Sequence, residues 1–318
     1  MTETGSSIDI SIVVPVYGCD AALPELANRI RDELSRMDRS YELILIDDCG
    51  PGQTWEIITQ LAKQDPAVRG IKMSRNFGQH AAITAGLEHT TGQWGVVMDC
   101  DLQDPPEDIH RLYQKATEGN DIVYAKRKEK QHSWLKKATA HLYFMLLNAF
   151  TRQNIEGEYG SFSIISRRVI NAYLRFEDRE RHYLFILYWL GFPSAHIEYE
   201  HARRHSGKSA YKLSQLLMHA LSGLFFQTTI LLHWIIYIGF ITSAAGVMFA
   251  AYFVYRYFSG AILPGWTSLV VLILIIGGMI LVSSGIIGLY IGRIFDQVKG
   301  RPLYIVQETT GSTADKND

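Results

Sequence analysis

The chain has 318 residues, of which 31 are basic and 32 acidic, so its formal net charge of -1 gives no signal for a nucleic-acid partner. That length can hold one large domain or two smaller ones. The polar N-terminus lacks the basic and apolar segments of a secretory signal, which predicts that the globular part stays in the cytoplasm. The cysteines lie far apart without paired ligand spacing, so we expect free thiols, rather than a disulfide or a metal site, at Cys19, Cys49 and Cys100.

The N-terminal part alternates apolar strands with helices. In chain order we predict a strand at 10–16, a helix at 23–37, a strand at 41–46, a helix at 55–64, a strand at 68–73, a helix at 81–89, a strand at 94–98, a helix at 109–118 and a strand at 121–124. Strands this apolar, each followed by a helix, are typical of a mostly parallel α/β sheet covered on both faces. Ligands bind beyond the carboxyl ends of such strands. Acidic residues follow two of them, at Asp47 and Asp48 and at Asp99 and Asp101.

The segment from Asp99 to Glu107 follows the predicted strand at 94–98, and its sequence DCDLQDPPE is rich in oxygen ligands. Mg²⁺ and Mn²⁺ favour such ligands and commonly join one or two carboxylates to substrate phosphates. The sequence contains neither the glycine-rich fingerprint of dinucleotide folds nor that of P-loops. A bound nucleotide would therefore depend on a divalent metal at its diphosphate. A solvated acidic turn is the alternative interpretation of these residues.

The C-terminal third contains two long segments without Asp, Glu, Lys or Arg, Leu213–Tyr255 and Tyr257–Gly292. Roughly 20 apolar residues suffice for a helix to span a bilayer. We predict spans at about 233–255 and 266–291, with two buried core helices as the alternative. The resulting division is a cytoplasmic domain (1–212), an amphipathic interfacial helix (213–228), a two-helix transmembrane hairpin (229–292) and a cytoplasmic tail (293–318), whose polar residues from Gln307 onward are predicted to be disordered.

Basic residues flanking the two spans predict their orientation. They precede the first span at Lys208 and Lys212 and follow the second at Arg293, Lys299 and Arg301, whereas only Arg256 lies between the spans. Both termini are therefore predicted to be cytoplasmic. Small residues in the second span would let helices approach closely and suggest a homo-oligomer: Gly277, Gly278, Ser284, Gly285 and Gly288.

Five stretches of the chain carry a family resemblance. They are SIVVPVY (11–17), ELILIDD (42–48), SRNFGQHAAITAGL (74–87), VMDCDLQDPPE (97–107) and RHSGKSAYKLSQLL (204–217). In this order they resemble the family-2 inverting glycosyltransferases, in particular the polyprenyl-phosphate branch that includes dolichyl-phosphate mannose synthases and bacterial undecaprenyl-phosphate glucosyltransferases. The resemblance implies a Rossmann-like GT-A domain that binds a nucleotide sugar. It also implies inverting transfer of the sugar, from UDP by analogy with the bacterial relatives, to undecaprenyl phosphate at the cytoplasmic membrane face.

The resemblance also implies residue roles. The nucleotide sugar would contact Pro15, Tyr17, Asp47 or Asp48, Asn76 and Asp99. Asp101 and Gln103 would hold Mg²⁺ or Mn²⁺, and the catalytic set would be Asp101, Asp104, Arg127 and Arg204, with the two arginines contacting phosphates. Alternatives remain for two of these regions. The segment 74–78 also suits a helix entry, and Arg127 with Lys128 also suits a solvated basic face or attraction to anionic headgroups.

Two positions depart from the family pattern. Gly18 and Cys19 replace the usual Asn-Glu, and Ser161 stands where the family often has an aspartate in Gly-Asp-Phe-Arg. A hydroxyl is no general base at neutral pH without activation, whereas a phosphate acceptor is already largely dianionic and needs none. Ser161 thus favours lipid phosphate as acceptor. Transfer to a hydroxyl of a lipid-linked oligosaccharide, with Glu158 or Asp104 as base, and a non-catalytic membrane scaffold that keeps the nucleotide pocket are the alternatives.

Overall fold

The computed structural model describes residues 8–127, 159–179, 181–200, 230–259 and 265–310. The chain divides into two compact units, the first formed by Met1–Phe144, Gln153–Ser209 and Pro302–Asp318, and the second by Met145–Arg152 and Ala210–Arg301. Several predictions concern residues outside the described ranges and stay predictions: those for Glu158, Arg204, the stretch after Arg127 and the interfacial helix at 213–228.

The described strands and helices of the first unit confirm the predicted alternation. The strands are β1 (Ile10–Val16), β2 (Tyr41–Asp47), β3 (Val68–Met73), β4 (Trp94–Val97), β5 (Ile122–Arg127), β6 (Tyr159–Ser166), β7 (Ser194–Tyr199) and β8 (Val306–Thr309). The helices are α1 (Leu23–Arg36), α2 (Thr54–Gln64), α3 (Gln79–Glu88), α4 (Ile109–Thr117), α5 (Arg167–Leu174) and α6 (Tyr183–Leu190). All five predicted strands and four predicted helices are present, with ends that differ by at most a few residues.

In the described part of the first unit, these strands form one eight-stranded sheet in the order β7-β5-β6-β4-β1-β2-β3-β8. β1 is parallel to both β2 and β4, β2 to β3, and β5 to β7. β6 runs antiparallel between β4 and β5, and β8 runs antiparallel to β3. The mostly parallel sheet is therefore confirmed.

Both faces of the sheet are buried, because alternate residues of β1 belong to different clusters. Ile12 and Val14 pack with Leu26 and Ile30 of α1 on one face. Val13 packs on the other face with residues of α3, α5 and α6. Strands buried on two faces explain why β1 reads as a continuous apolar run instead of an alternating one.

The end of the chain corrects one expectation. The tail was predicted to be disordered from Gln307, yet Val306–Thr309 forms β8 on the outer side of β3. Thr310 continues the contact, since its N–H donates to Gly70 O at 2.9 Å and its Oγ1 accepts from Gly70 N at 2.6 Å. β8 lies at the edge of the sheet and its side chains are mostly exposed, so it needs few apolar residues. Its polar sequence is therefore indistinguishable from that of a disordered tail.

The second unit contains two long helices, α7 (Ile230–Phe258) and α8 (Trp266–Val298). Within the described residues, one segment is long and apolar enough to cross a membrane, Ile275–Val298, and a shorter apolar segment runs from Trp234 to Phe249. The two predicted helices are thus present. That both of them span a bilayer remains a proposal.

Candidate active site

The candidate site lies where β1, β2 and β4 end. These strands are parallel neighbours, so their carboxyl ends share one edge of the sheet. Val16 pairs with Asp47 at the end of β2, and Met98 N donates to Val13 O just before Asp99. The acidic residues predicted to collect at this edge therefore do so.

Asp99 is held by two side chains from other elements. Its Oδ1 accepts hydrogen bonds from Ser161 Oγ on β6 and from Gln79 Nε2 at the start of α3, each at 2.8 Å. Burial raises the pKa of Asp99 to about 6, and the nearby Asp104 carboxylate adds to the rise. Accumulated negative charge in a poorly solvated position favours either a proton or a cation.

Asp104 lies behind Asp99 with 1 % of its surface exposed. Its Oδ2 accepts from the Asp99 N–H at 3.2 Å, and its Oδ1 accepts from the Tyr199 hydroxyl at 2.7 Å. Burial raises the pKa of Asp104, although these two hydrogen bonds oppose the shift. Both carboxylate oxygens thus have partners within the protein, which suits an organising role better than that of a base for a substrate.

The predicted metal ligands lie in the same loop. Asp101 Oδ1 accepts from the Gln103 N–H at 3.1 Å, and both residues are partly exposed. Between them Leu102 has φ 61°, a left-handed conformation that turns the loop back on itself. The described residues contain no group of three or more His, Cys, Asp or Glu that could hold a metal by itself. Mg²⁺ usually takes only one or two carboxylates besides substrate phosphates and water, so Asp101 with the Gln103 amide oxygen fits that donor chemistry.

The two acidic residues after β2 have different surroundings. Asp48 accepts from the N–H groups of Phe77 and Gly78 at 2.7 and 2.9 Å, so it fixes the 74–78 segment at the entry to α3. Asp47 accepts a longer hydrogen bond, at 3.4 Å, from Gly50 N. Burial raises the pKa of both carboxyls. Asp48 thus has a clear structural role, and Asp47 accepts the weakest of these hydrogen bonds.

The remaining predicted donor-site residues line the same edge. Pro15 is buried within β1, Tyr17 is 56 % exposed just beyond it, and Asn76 is exposed in the segment that Asp48 holds. The structure therefore brings Tyr17, Asp47, Asn76 and Asp99 to one edge of the sheet.

Arg127 ends β5 on the side of the acidic loop. Its Nε donates to the Tyr199 hydroxyl at 3.1 Å. Burial lowers the pKa of the guanidinium, but Tyr199, Asp104 and Asp99 outweigh that effect and the net shift is upward. Arg127 therefore places a permanent positive charge beside Asp99 and Asp104. Arg204, the other predicted phosphate contact, lies outside the described residues.

The expectation of three free thiols is wrong for two cysteines. Cys19 and Cys100 form a disulfide with their Cα atoms 6.0 Å apart, although they are 81 residues apart in sequence. They meet because β1 and β4 are neighbours in the sheet, which places the loops that follow them side by side. Cys49 is free, as predicted, and its Sγ donates to Met73 O. Sequence spacing could not reveal this pairing, because it depends on the strand order.

Sequence reasoning missed several residues that support the loop. Gln79 lies inside a motif that carried the resemblance, which draws attention to the residue but does not reveal its contact with Asp99. No motif or spacing in the sequence marked Tyr199 as a residue of the site. Glu107, at the end of the acidic segment, forms a bidentate ion pair with Arg29 of α1 at 2.8 and 2.6 Å and so anchors the loop to the domain. Asp20 accepts from Gln53 N and Thr54 Oγ1 at the start of α2.

Two named bacterial proteins are similar in sequence to this chain over nearly its whole length. The chain is 34% identical over 302 residues to a prophage-derived bactoprenol glucosyl transferase of Shigella flexneri, covering 94% of this chain and 98% of that protein. It is 32% identical over 308 residues to an undecaprenyl-phosphate 4-deoxy-4-formamido-L-arabinose transferase of Proteus mirabilis, covering 95% and 94%.

Among solved structures, glucosyl-3-phosphoglycerate synthase from Mycobacterium tuberculosis, crystallised with Mn²⁺, UDP-glucose and glycerol 3-phosphate, superposes with a TM-score of 0.50 at 16% identity. The match covers 70% of this chain and 81% of that one, and it supports the GT-A type of fold. Residues 11–174 match the model of the family described as "Glycosyl transferase family 2". They include β2, which ends at Asp47, and β4, which ends just before the segment that contains Asp99 and Asp101. On this evidence the chain belongs to glycosyl transferase family 2.

Proposed function

We propose that this chain transfers a sugar, with inversion, from a nucleotide-sugar donor to the phosphate of a polyprenyl carrier. The observation that carries the proposal is the hydrogen bond from Ser161 Oγ to Asp99 Oδ1, at 2.8 Å. A base for an acceptor hydroxyl would stand at this position, but here the side chain is itself a donor whose proton points at a carboxylate. An acceptor that is already anionic removes the need for that base.

The relatives support a lipid-phosphate acceptor. Their names describe transfer involving bactoprenol and undecaprenyl phosphate, and the identities extend over nearly the whole length of this chain and of theirs. The identity of the sugar does not follow from these names, since the two relatives differ in it.

Asp101 and Gln103, with Asp99 beside them, would hold Mg²⁺ or Mn²⁺. When bound, such a cation neutralises negative charge on a departing nucleoside diphosphate. Asp47, Tyr17 and Asn76 would contact the nucleotide at the edge of the sheet. Burial and the neighbouring Asp104 raise the pKa of Asp99, and a cation nearby would favour its charged form.

The chain's own residues would act on the acceptor by positioning and charge. Arg127, and Arg204 beyond the described residues, would attract and orient the lipid phosphate. One phosphate oxygen attacks the anomeric carbon, the bond from that carbon to the nucleoside diphosphate breaks, and the configuration inverts. Asp104 would keep the acidic loop in shape and take no proton from the acceptor.

The position of β8 supports a membrane hairpin. Tyr199 and Val306 belong to strands of one sheet, so they lie on the same side of any membrane. If α8 crosses the bilayer, the chain must cross an even number of times between these residues, and α7 is the described helix that can supply the second crossing. Together with the flanking basic residues, this supports two spans with the catalytic domain at the cytoplasmic face.

The proposal is tested by transfer of label into a lipid phase. Purified protein in detergent receives undecaprenyl phosphate, Mn²⁺ and labelled UDP- or GDP-sugars, with UDP-glucose first. Asp101→Ala is expected to lower transfer by at least about a hundredfold, and EDTA to abolish it. Asp32→Ala removes an exposed carboxylate of α1, and serves as the matched control. Wild-type transfer by Asp101→Ala, or transfer that resists EDTA, would refute the metal assignment.

A further inference from the structure

Tyr199 is buried where its strand predicts exposure. β7 lies at the edge of the sheet, and its first five residues are exposed or half-exposed, but Tyr199 at its end is 1 % exposed. The ring packs edge-on against Phe162, with centroids 5.6 Å apart. Phe162 follows Ser161 on β6, so the last residue of β7 is directed into the loop side of the site.

The Tyr199 hydroxyl connects two of the predicted site residues. It donates to Asp104 Oδ1 at 2.7 Å and accepts from Arg127 Nε at 3.1 Å. The other oxygen of Asp104 accepts from the Asp99 N–H at 3.2 Å. A continuous set of hydrogen bonds therefore runs from Arg127 through Tyr199 and Asp104 to the backbone of the acidic loop.

The end of β7 is itself held firmly, so this hydroxyl has a defined position. Arg127 and Tyr199 are register partners in the parallel pair β5–β7. Arg111 of α4 donates to Glu198 O at 2.9 Å and pairs with Asp108 at 2.7 Å. Groups that orient a reacting site act best when their own backbone is fixed in this way.

A hydroxyl between a guanidinium and a carboxylate has a specific consequence. Arginine and carboxylate side chains form strong, often bidentate, ion pairs when nothing separates them. Without the hydroxyl, Arg127 could turn onto Asp104, which would neutralise the cation and pull the carboxylate away from the Asp99 N–H. Tyr199 satisfies both groups at once and leaves the guanidinium able to meet a phosphate.

We propose that Tyr199 is a positioning residue, which fixes the acidic loop through Asp104 and keeps Arg127 directed at phosphate. The expected effect of Tyr199 on sugar transfer rests on the proposed function. The geometric claim, that the Tyr199 hydroxyl holds the 99–104 loop, is independent of that function.

The geometric content is tested by hydrogen–deuterium exchange on the full chain in detergent. Tyr199→Phe keeps the ring contact with Phe162 and removes only the hydroxyl. We expect the peptide covering 97–104 to exchange roughly fivefold faster, because one buried hydrogen bond and its dependent contact are weakened. The matched control is Tyr173→Phe, which removes another buried tyrosine hydroxyl, bonded to Thr84 Oγ1 at 3.0 Å. An unchanged 97–104 peptide, or equal acceleration in both variants, would overturn the proposal.

The catalytic consequence is tested by a double-mutant cycle on sugar transfer. Tyr199→Phe is expected to lower kcat roughly tenfold with the donor KM nearly unchanged. In the Arg127→Gln background the same change should have a clearly smaller effect, because the contribution through Arg127 is already lost and only the one through Asp104 remains. Effects that multiply in the double variant would overturn this part. If the wild type transfers no sugar to lipid phosphate, the proposed function fails, while the exchange experiment still decides whether Tyr199 holds the loop.

Discussion

At the scale of single residues, Ser161 is the position that distinguishes transfer to a phosphate from transfer to a hydroxyl. Its hydroxyl donates to Asp99, and on the same strand Ser163 Oγ donates to Ser161 O at 3.0 Å and contacts the Tyr183 hydroxyl. Ser161 is thus part of a network that orients Asp99, and its proton is directed at that carboxylate. Its contribution to catalysis should be that of one orienting hydrogen bond.

We therefore expect Ser161→Ala to retain transfer to lipid phosphate within about tenfold of wild type, because an orienting hydrogen bond contributes about 1 kcal/mol. Removal of a general base would instead cost about 10²–10⁴-fold. Steady-state transfer rates at saturating donor check this, with Ser163→Ala as the control for disturbing β6. A loss of a thousandfold would show that Ser161 has a chemical role.

Glu42 is a buried carboxylate with several partners, and it lies near the start of β2, away from the site. Its Oε1 accepts from Ser11 Oγ at 2.7 Å and from Thr91 N and Oγ1 at 2.6 and 2.8 Å. Burial raises its pKa, but these hydrogen bonds and Arg69 outweigh that effect, so the net pKa lies below the ordinary 4.5. The charged form therefore stabilises the fold.

A depressed native pKa makes this stabilisation dependent on pH. The contribution is fully present above the unfolded pKa near 4.5 and disappears as pH falls through the lower native value. Glu42→Gln should lower the melting temperature by several degrees at pH 7, and the difference from wild type should shrink below about pH 4. Scanning fluorimetry across pH measures this, with the exposed Glu56→Gln as control. A difference independent of pH would contradict the assigned charge effect.

At the scale of elements, the local apolar pattern predicts where strands lie, whereas the order of strands in the sheet decides which residues meet. β1 to β5 were predictable because each is a short apolar run followed by a turn or a helix. β7 and β8 were not, since edge strands such as Ser194–Tyr199 expose one side and lose the apolar signal. The carboxylates of the site were predictable from strand ends. Their partners Gln79, Ser161 and Tyr199, and the Cys19–Cys100 pairing, depend on which strands are neighbours, which a single sequence does not reveal.

Truncation tests whether β8 stabilises the domain. A chain ending at Tyr304 lacks the strand and leaves the edge of β3 uncovered, whereas a chain ending at Thr310 keeps every contact that β8 makes with β3. We expect the shorter chain to melt several degrees lower, because it loses the backbone ladder and the Thr310–Gly70 hydrogen bonds. The longer truncation should melt like the full chain. Equal melting temperatures for both truncations would mean that β8 does not stabilise the domain.

At the scale of the whole molecule, the sheet and the apolar helices make a joint prediction about topology. Ser259 follows α7, between the two helices, and should face the outside, whereas Arg301 follows α8 on the same side as the sheet. In intact bacterial cells, a membrane-impermeant maleimide should label Ser259→Cys. It should label Arg301→Cys, like the natural thiol of Cys49, only after permeabilisation. Labelling of Arg301→Cys in intact cells would contradict the hairpin.

The central claim is that the acceptor is a lipid phosphate, and the most direct measurement compares lipid acceptors that offer a terminal phosphate with lipid acceptors that offer a hydroxyl. The detergent-solubilised enzyme, with Mn²⁺ and its preferred labelled donor, is offered undecaprenyl phosphate, undecaprenol or a lipid-linked oligosaccharide, and the products are identified by mass and by anomeric configuration. We predict one sugar added to undecaprenyl phosphate, with inversion, and none to the free alcohol or to a sugar hydroxyl. Transfer to a hydroxyl acceptor, with undecaprenyl phosphate unmodified, would contradict the account.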